Sequence, residues 1–267
     1  MNSAGQAERG KRPEPRLSDP AIVLRTEGLT KSFLGFVAVQ DVSFAVRQGH
    51  IHAVIGPNGA GKTTFFNLLT KFLPPTSGRI FYRDQDITAL RPAEIARRGI
   101  VRSFQISATF PHLTVLENVR IPLQRRLGTQ YHFWRSEEDL KNLDARAAGL
   151  LEEVGLQDYL HLQAVELPYG RKRALEIATT LALDPELILL DEPTQGMGHE
   201  DIDRVKALIK RVAAGRTILM VEHNMSVVSD ISDRITVLQR GQILAEGPYA
   251  EVSRDPRVVS AYLGHVH

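Results

Sequence analysis

Residues 56–64, Gly56-Pro57-Asn58-Gly59-Ala60-Gly61-Lys62-Thr63-Thr64, constrain this chain more than any others. Before them, Ile51-His52-Ala53-Val54-Ile55 reads as a buried strand; after them, Phe65-Phe66-Asn67-Leu68-Leu69 reads as a helix. A strand, a glycine-rich loop and a helix N-terminus in that order make a cradle for phosphate. The glycines let backbone N–H groups converge on an anion, and the helix dipole adds partial positive charge at the same point. In this pattern Lys62 reaches the β- and γ-phosphates of a nucleotide, and the Thr63 hydroxyl ligates Mg²⁺. The chain must therefore fold as an α/β protein around that loop.

With 267 residues, 43% of them hydrophobic, there is material for a large core in one or two domains. A formal charge of +2, from 33 basic and 31 acidic residues, gives no electrostatic reason to expect nucleic acid as a partner. The absence of cysteine rules out a disulfide scaffold and a thiolate metal site, and is compatible with the reducing cytosol. Residues 1–20 carry Arg9, Lys11, Arg12 and Arg16 among Pro, Gly, Ser and Glu; no apolar core follows, so they read as a disordered tail rather than a secretory signal. No run approaches the ~20 apolar residues that a membrane helix needs.

Along the chain, Ile22-Val23-Leu24 and Val42-Ser43-Phe44-Ala45-Val46 have strand composition. Between them, Lys31-Ser32-Phe33-Leu34-Gly35-Phe36 reads as an aromatic-bearing loop whose flat ring either stacks on a nucleotide base or packs in the core. Beyond the phosphate loop, strands are expected from Arg79 and over Ile100-Val101-Arg102-Ser103-Phe104, with a turn at Asp84-Gln85-Asp86 and a short helix from Ala93 to Arg98. From Thr114 to about Ala182 long helical patterns dominate, as a helical insertion within the α/β core. Inside it, Tyr131-His132-Phe133-Trp134 precedes the helix-start signal Ser136-Glu137-Glu138, either as a hydrophobic staple or as a docking patch. The core resumes at Glu186-Leu187-Ile188-Leu189-Leu190-Asp191-Glu192-Pro193, whose unalternating apolar run suits a central parallel strand. Thr217 to Val221 is a further buried strand delivering Glu222-His223-Asn224; a hairpin over residues 234–245 and a helix from Pro256 to Leu263 close the chain.

Asp191 and Glu192 supply what a phosphate loop alone lacks. One carboxylate at a strand end can hold Mg²⁺, and its neighbour can polarise a water for in-line attack on the γ-phosphate. His223, at the end of the next strand, either contacts the γ-phosphate and that water or, as a lone histidine usually is, serves as a structural or surface residue. Together these motifs resemble one family closely, the ATP-binding subunits of ABC transporters. Residues 56–64 match its Walker A motif, Gln105 its Q-loop, Leu187 to Glu192 its Walker B motif and His223 its H-loop. Phe33 best matches its base-stacking aromatic, and Leu167-Pro168-Tyr169-Gly170-Arg171 lies where its signature motif belongs. The resemblance covers roughly residues 21–264. It implies a P-loop NTPase of the ABC ATPase type: a RecA-like core with an antiparallel β-subdomain (about 21–105 and 184–267) and an inserted helical subdomain (about 106–183). It further implies ATP and Mg²⁺ as cofactors. Glu192, His223 and Gln105 would serve catalysis, with Thr63, Gln105 and Asp191 around the metal; Phe33, residues 56–64 and Pro168 to Arg171 would contact nucleotide.

Finer detail resembles the branched-chain (hydrophobic) amino acid importer ATPases: the Tyr-Gly signature followed by Leu175-Glu176-Ile177-Ala178, the phrase Val221-Glu222-His223-Asn224-Met225, Ser232-Asp233-Arg234-Ile235, and the ending Ala261-Tyr262-Leu263-Gly264. That resemblance implies a cytoplasmic protein on the inner face of the cell membrane. Its partners would be a second ATPase, giving a heterodimer, two transmembrane permeases and a periplasmic or extracellular solute-binding protein. A lipid or lipopolysaccharide exporter ATPase and a soluble non-transport ABC ATPase are the alternatives. Two positions depart from the wider pattern: Pro168 replaces the signature Ser, and Gly198 stands where the D-loop usually has Asp.

Overall fold

The computed structural model describes residues 21–103, 109–126 and 137–263. Strands β1 (Ile22–Phe33) and β2 (Phe36–Arg47) form an antiparallel hairpin. Its turn is Leu34-Gly35, with φ of 44° and 92°, the positive values that match the twist of a two-residue hairpin. The expected loop over residues 31–36 is thus two strand ends and a tight turn, with Phe33 paired to Phe36. β1 outruns its sequence pattern because polar Thr26 occupies a buried position, its hydroxyl donating to the Val42 carbonyl at 2.8 Å.

Next come β3 (Ile51–Ile55), α1 (Lys62–Leu69), β4 (Ser77–Tyr82) and β5 (Gln85–Asp86). Only Asp84 of the expected Asp84–Asp86 turn stays outside a strand, since Gln85 and Asp86 pair with Tyr82 and Phe81. Then follow α2 (Pro92–Arg97), β6 (Ile100–Ser103), α3 (Val115–Arg126), α4 (Glu137–Glu153) and α5 (Tyr169–Leu181). The last third holds β7 (Leu187–Asp191), α6 (His199–Val212), β8 (Thr217–Val221), α7 (Met225–Ile231), β9 (Arg234–Gln239), β10 (Gln242–Gly247), α8 (Tyr249–Val252) and α9 (Pro256–Leu263). Neither α7 nor α8 is long enough to show a helical period in sequence.

The strands form two sheets, an antiparallel one in the order β2-β1-β4-β5 and a larger one in the order β10-β9-β3-β8-β7-β6. In the second, β9, β3, β8, β7 and β6 are parallel, with β10 antiparallel at one edge. Both faces of this sheet are covered, which is why its strands read as continuous apolar runs. Alternate residues serve alternate cores: Ile188, Leu190, Ile218 and Met220 pack among the helices, whereas Leu187, Leu189, Leu219 and Val221 pack with α1 and the antiparallel sheet. In the helical segment, α3 and α4 pack together and against α5 through Val119, Leu123, Leu143, Ala147, Leu151 and Leu175. The Tyr131-His132-Phe133-Trp134 cluster lies outside the described residues.

Candidate nucleotide site

Parallel pairing of β3, β8, β7 and β6 brings their C-terminal ends to one edge. The phosphate loop leaves β3 there, Glu222-His223 leaves β8, and Glu192 leaves β7. Gln105, expected beyond β6, lies outside the described residues. Ligands of open α/β sheets bind at such an edge.

Backbone shape is set by the glycines. Gly61, at φ 96°, is the N-cap of α1, which has neither a side-chain cap nor an acidic residue in its first turn. Its N-terminal N–H groups therefore face an anion site without internal competition. The loop is also wedged tightly: a Cβ at Gly56 would lie 2.2 Å from the Leu238 carbonyl oxygen, and one at Gly61 would lie 2.4 Å from that of Ala38. Lys62 is buried and folds back over the loop, its Nζ donating to the Gly56 carbonyl at 2.7 Å and the Pro57 carbonyl at 3.1 Å. Burial lowers the Lys62 pKa, and the nearby Glu192 and Asp191 charges oppose that shift, so lysine and carboxylates share one field. Asn58, Gly59 and Thr63 are exposed, Pro57 and Thr64 half-buried and Ala60 buried.

Asp191 is buried at the end of β7 and pairs with the Arg102 guanidinium from β6. Arg102 also donates from Nη1 to Asn67 Oδ1 of α1 at 2.7 Å. From α5, Arg173 Nη2 donates to the Asp191 carbonyl at 3.1 Å, while its Nη1 is 2.5 Å from Glu176 Oε2. Glu192 has φ 46°, a left-handed conformation that costs a non-glycine residue about 1–2 kcal/mol. Its N–H is held by the Val221 carbonyl at 2.9 Å, and its carbonyl accepts from Gln195 N at 3.1 Å. The His223 side chain is 55% exposed.

The signature segment is built differently from the phosphate loop. Pro168 is the N-cap of α5 rather than its first helical residue and offers no side-chain cap. Tyr169 is exposed, and its hydroxyl donates to the Gln195 carbonyl at 3.2 Å. Arg171 turns inward, donating to the Gly155 carbonyl at 2.7 Å with its guanidinium 5.2 Å from the Tyr159 ring centre. Gly170 lies against Asp201: a Cβ there would be 2.9 Å from its Oδ1. Phe33, at the end of β1, is 41% exposed, with Lys31 Nζ 5.1 Å from its ring centre. The hairpin that carries Phe33 also carries Ala38, whose carbonyl packs on Gly61 of the phosphate loop.

Sequence reasoning passed over Arg102, Arg173 and Glu222. A charged residue inside the short strand Ile100–Ser103 was the available signal for Arg102. For Glu222 it was a carboxylate ending an otherwise apolar strand.

A phosphate loop, a strand-end carboxylate pair and a histidine on adjacent parallel strands define a P-loop nucleotide-binding cassette. The ABC transporter family profile matches residues 39–195, and that of the branched-chain amino acid ATP-binding cassette transporter matches residues 242–267. The chain belongs to the ABC transporter ATPase family, whose cassettes bind and hydrolyse ATP. It is 39% identical to the high-affinity branched-chain amino acid transport ATP-binding protein BraF of Pseudomonas aeruginosa, over 91% of this chain and 98% of that one. Identity to the corresponding LivG protein of Escherichia coli K12 is 40%, with the same coverage. Among solved structures, the ADP conformation of MJ1267, an ATP-binding cassette of an ABC transporter, superposes with a TM-score of 0.80 at 33% identity, covering 91% of this chain and 99% of that one. Among the described residues, no helix is long and apolar enough to cross a membrane.

Proposed function

We propose that this chain is the ATP-hydrolysing subunit of an importer for branched-chain amino acids or related small solutes. The convergence of Lys62, Asp191, Glu192 and His223 on one sheet edge supports the hydrolytic part. Near 40% identity to importer ATPases over nine-tenths of the chain supports the transport part. The partners are a second ATPase, two membrane permeases and a solute-binding protein, with this subunit peripheral on the cytoplasmic face.

In the proposed site the loop N–H groups and Lys62 hold the β- and γ-phosphates, and Phe33 stacks on the base. Among the described residues the donors fit Mg²⁺: Asp191 offers a hard carboxylate oxygen at the strand end and Thr63 an exposed hydroxyl on α1, and Gln105, outside the described residues, is the third ligand that the family resemblance implies. When bound, the ion neutralises charge on the phosphates. Glu192 orients and deprotonates the attacking water, and the left-handed backbone at this residue supports that role, because strained residues concentrate at working sites. His223 contacts the γ-phosphate from the neighbouring strand. Pro168 to Arg171 belong to the segment that meets nucleotide held by the other ATPase.

The test is Glu192→Gln in the assembled transporter. Turnover is expected to fall on the order of a hundredfold or more with ATP binding retained, and uptake of labelled leucine to fall with it. Near-normal turnover would overturn the assignment of Glu192. Normal hydrolysis without uptake of any branched-chain amino acid would overturn the solute class.

A further inference from the structure

The mechanism above leaves the buried charge of Glu222 unused. Glu222 directly follows β8 and is 0% exposed. A carboxylate at such a place costs several kcal/mol unless its lone pairs are filled. They are filled from two directions. Oε1 accepts from the Thr194 backbone N–H at 3.2 Å and from the Thr194 hydroxyl. Oε2 accepts from the backbone N–H of His223 at 2.7 Å and that of Asn224 at 3.1 Å. Thr194 belongs to the turn that begins at Glu192, closed by Gln195 N on the Glu192 carbonyl at 3.1 Å. His223 and Asn224 form the loop between β8 and α7, where Asn224 also caps α7 through Ser226 N at 3.0 Å. One oxygen therefore holds the loop of Glu192 and the other holds the loop of His223.

We infer that Glu222 is a positioning residue that locks these two loops to each other, so that Glu192 and His223 reach their working placement together. The inference rests on the roles proposed above for Glu192 and His223. The carboxylate makes no hydrogen bond to the His223 ring, whose Nδ1 lies 3.6 Å from Oε2, and its bonds to that loop run to backbone N–H groups. Four donors also explain why an acid is needed here. Glutamine has one acceptor oxygen and one NH₂ donor. Turned one way, its NH₂ meets the N–H groups of His223 and Asn224 and loses both bonds; turned the other, it meets the Thr194 N–H and keeps only the Thr194 hydroxyl, now as acceptor. Either orientation weakens the tie to one loop.

The experiment measures ATP turnover of the assembled transporter for Glu222→Gln, His223→Ala and their combination. Glu222→Gln should lower kcat about tenfold or more with KM for ATP changed less than about threefold, the pattern of a contact that acts only in the chemical step. Combined with His223→Ala, it should cost little beyond the larger single loss, because both changes disable one unit. Thr194→Val, which removes only the hydroxyl donor and keeps the side-chain shape, should show the same pattern more weakly and covers the case in which Glu222→Gln fails to fold. Reduced turnover in His223→Ala with full turnover in Glu222→Gln and Thr194→Val would overturn the coupling alone. Additive losses, or falls in kcat and Tm accompanied by a rise in KM, would overturn it as well. Full turnover in His223→Ala would instead overturn the assignment of His223 on which the inference stands.

Discussion

The ring of His52 is 1% exposed in β3, and its Nε2 lies 2.8 Å from Thr236 Oγ1. The Thr236 hydroxyl commits its own proton to Glu246 Oε2 at 3.1 Å, so the imidazole donates and Nε2 carries the hydrogen. Burial, helped by the Arg234 and His50 charges, pushes the His52 pKa down from 6.5 to about 3. Between those values the unfolded chain binds a proton that the folded chain excludes. Stability is thus whole above pH 6.5 and declines as pH falls, by about 1.4 kcal/mol per unit once well below it. Urea denaturation at pH 7 and pH 5 should show the decline, and His52→Gln should flatten it. A second residue-scale expectation concerns Phe33. Base–aromatic stacking is worth roughly 1–3 kcal/mol, so Phe33→Ala should weaken ATP binding about ten- to hundredfold while Phe33→Tyr stays near wild type. Unchanged affinity in Phe33→Ala, read by calorimetry, would take the ring out of the site.

Elements matter through how they touch the phosphate loop. Gly61 joins that loop to α1 while lying under the Ala38 carbonyl of β2. Gly61→Ala meets both a φ of 96° and a Cβ overlap at 2.4 Å, neither relieved by moving a flexible side chain. A loss of about 1–2 kcal/mol from backbone conformation alone is expected, seen as a lower Tm together with weakened ATP binding. Gly59→Ala has open space around its Cβ, so it isolates the backbone cost at φ 77° and should be the milder variant. The loop and the strand ends of Asp191 and His223 were legible in sequence because each is a short, chemically restrictive pattern beside a buried run. The β1–β2 hairpin was not, since Thr26 breaks its alternation and register shifts interrupt the pairing. Arg102 and Glu222 escaped for another reason. Their partners lie on a distant strand or turn, 89 residues away for the Arg102–Asp191 pair and 28 for the Glu222–Thr194 pair, and no local pattern records such a meeting.

At the scale of the whole molecule, the two ends of the site chemistry are unequal. The Walker residues are complete, whereas Pro168 opens α5 with neither a hydroxyl nor an N–H for phosphate. A hydrogen bond to a charged group is worth about 1.5–3 kcal/mol, so a site served by this signature should be weaker by roughly one to two decades. Paired with a second ATPase of regular signature, this chain would supply the stronger catalytic half. Glu192→Gln should then depress transport far more than the matching change in the other ATPase; equal losses would show the sites to be equivalent. The Arg102–Asp191 pair carries a consequence for handling the protein. An arginine from β6 already balances the buried carboxylate, so the empty cassette needs no divalent ion to offset that charge. Purification in chelator should leave its melting temperature unchanged, whereas Arg102→Gln, which strands the carboxylate, should make the melt respond to added magnesium.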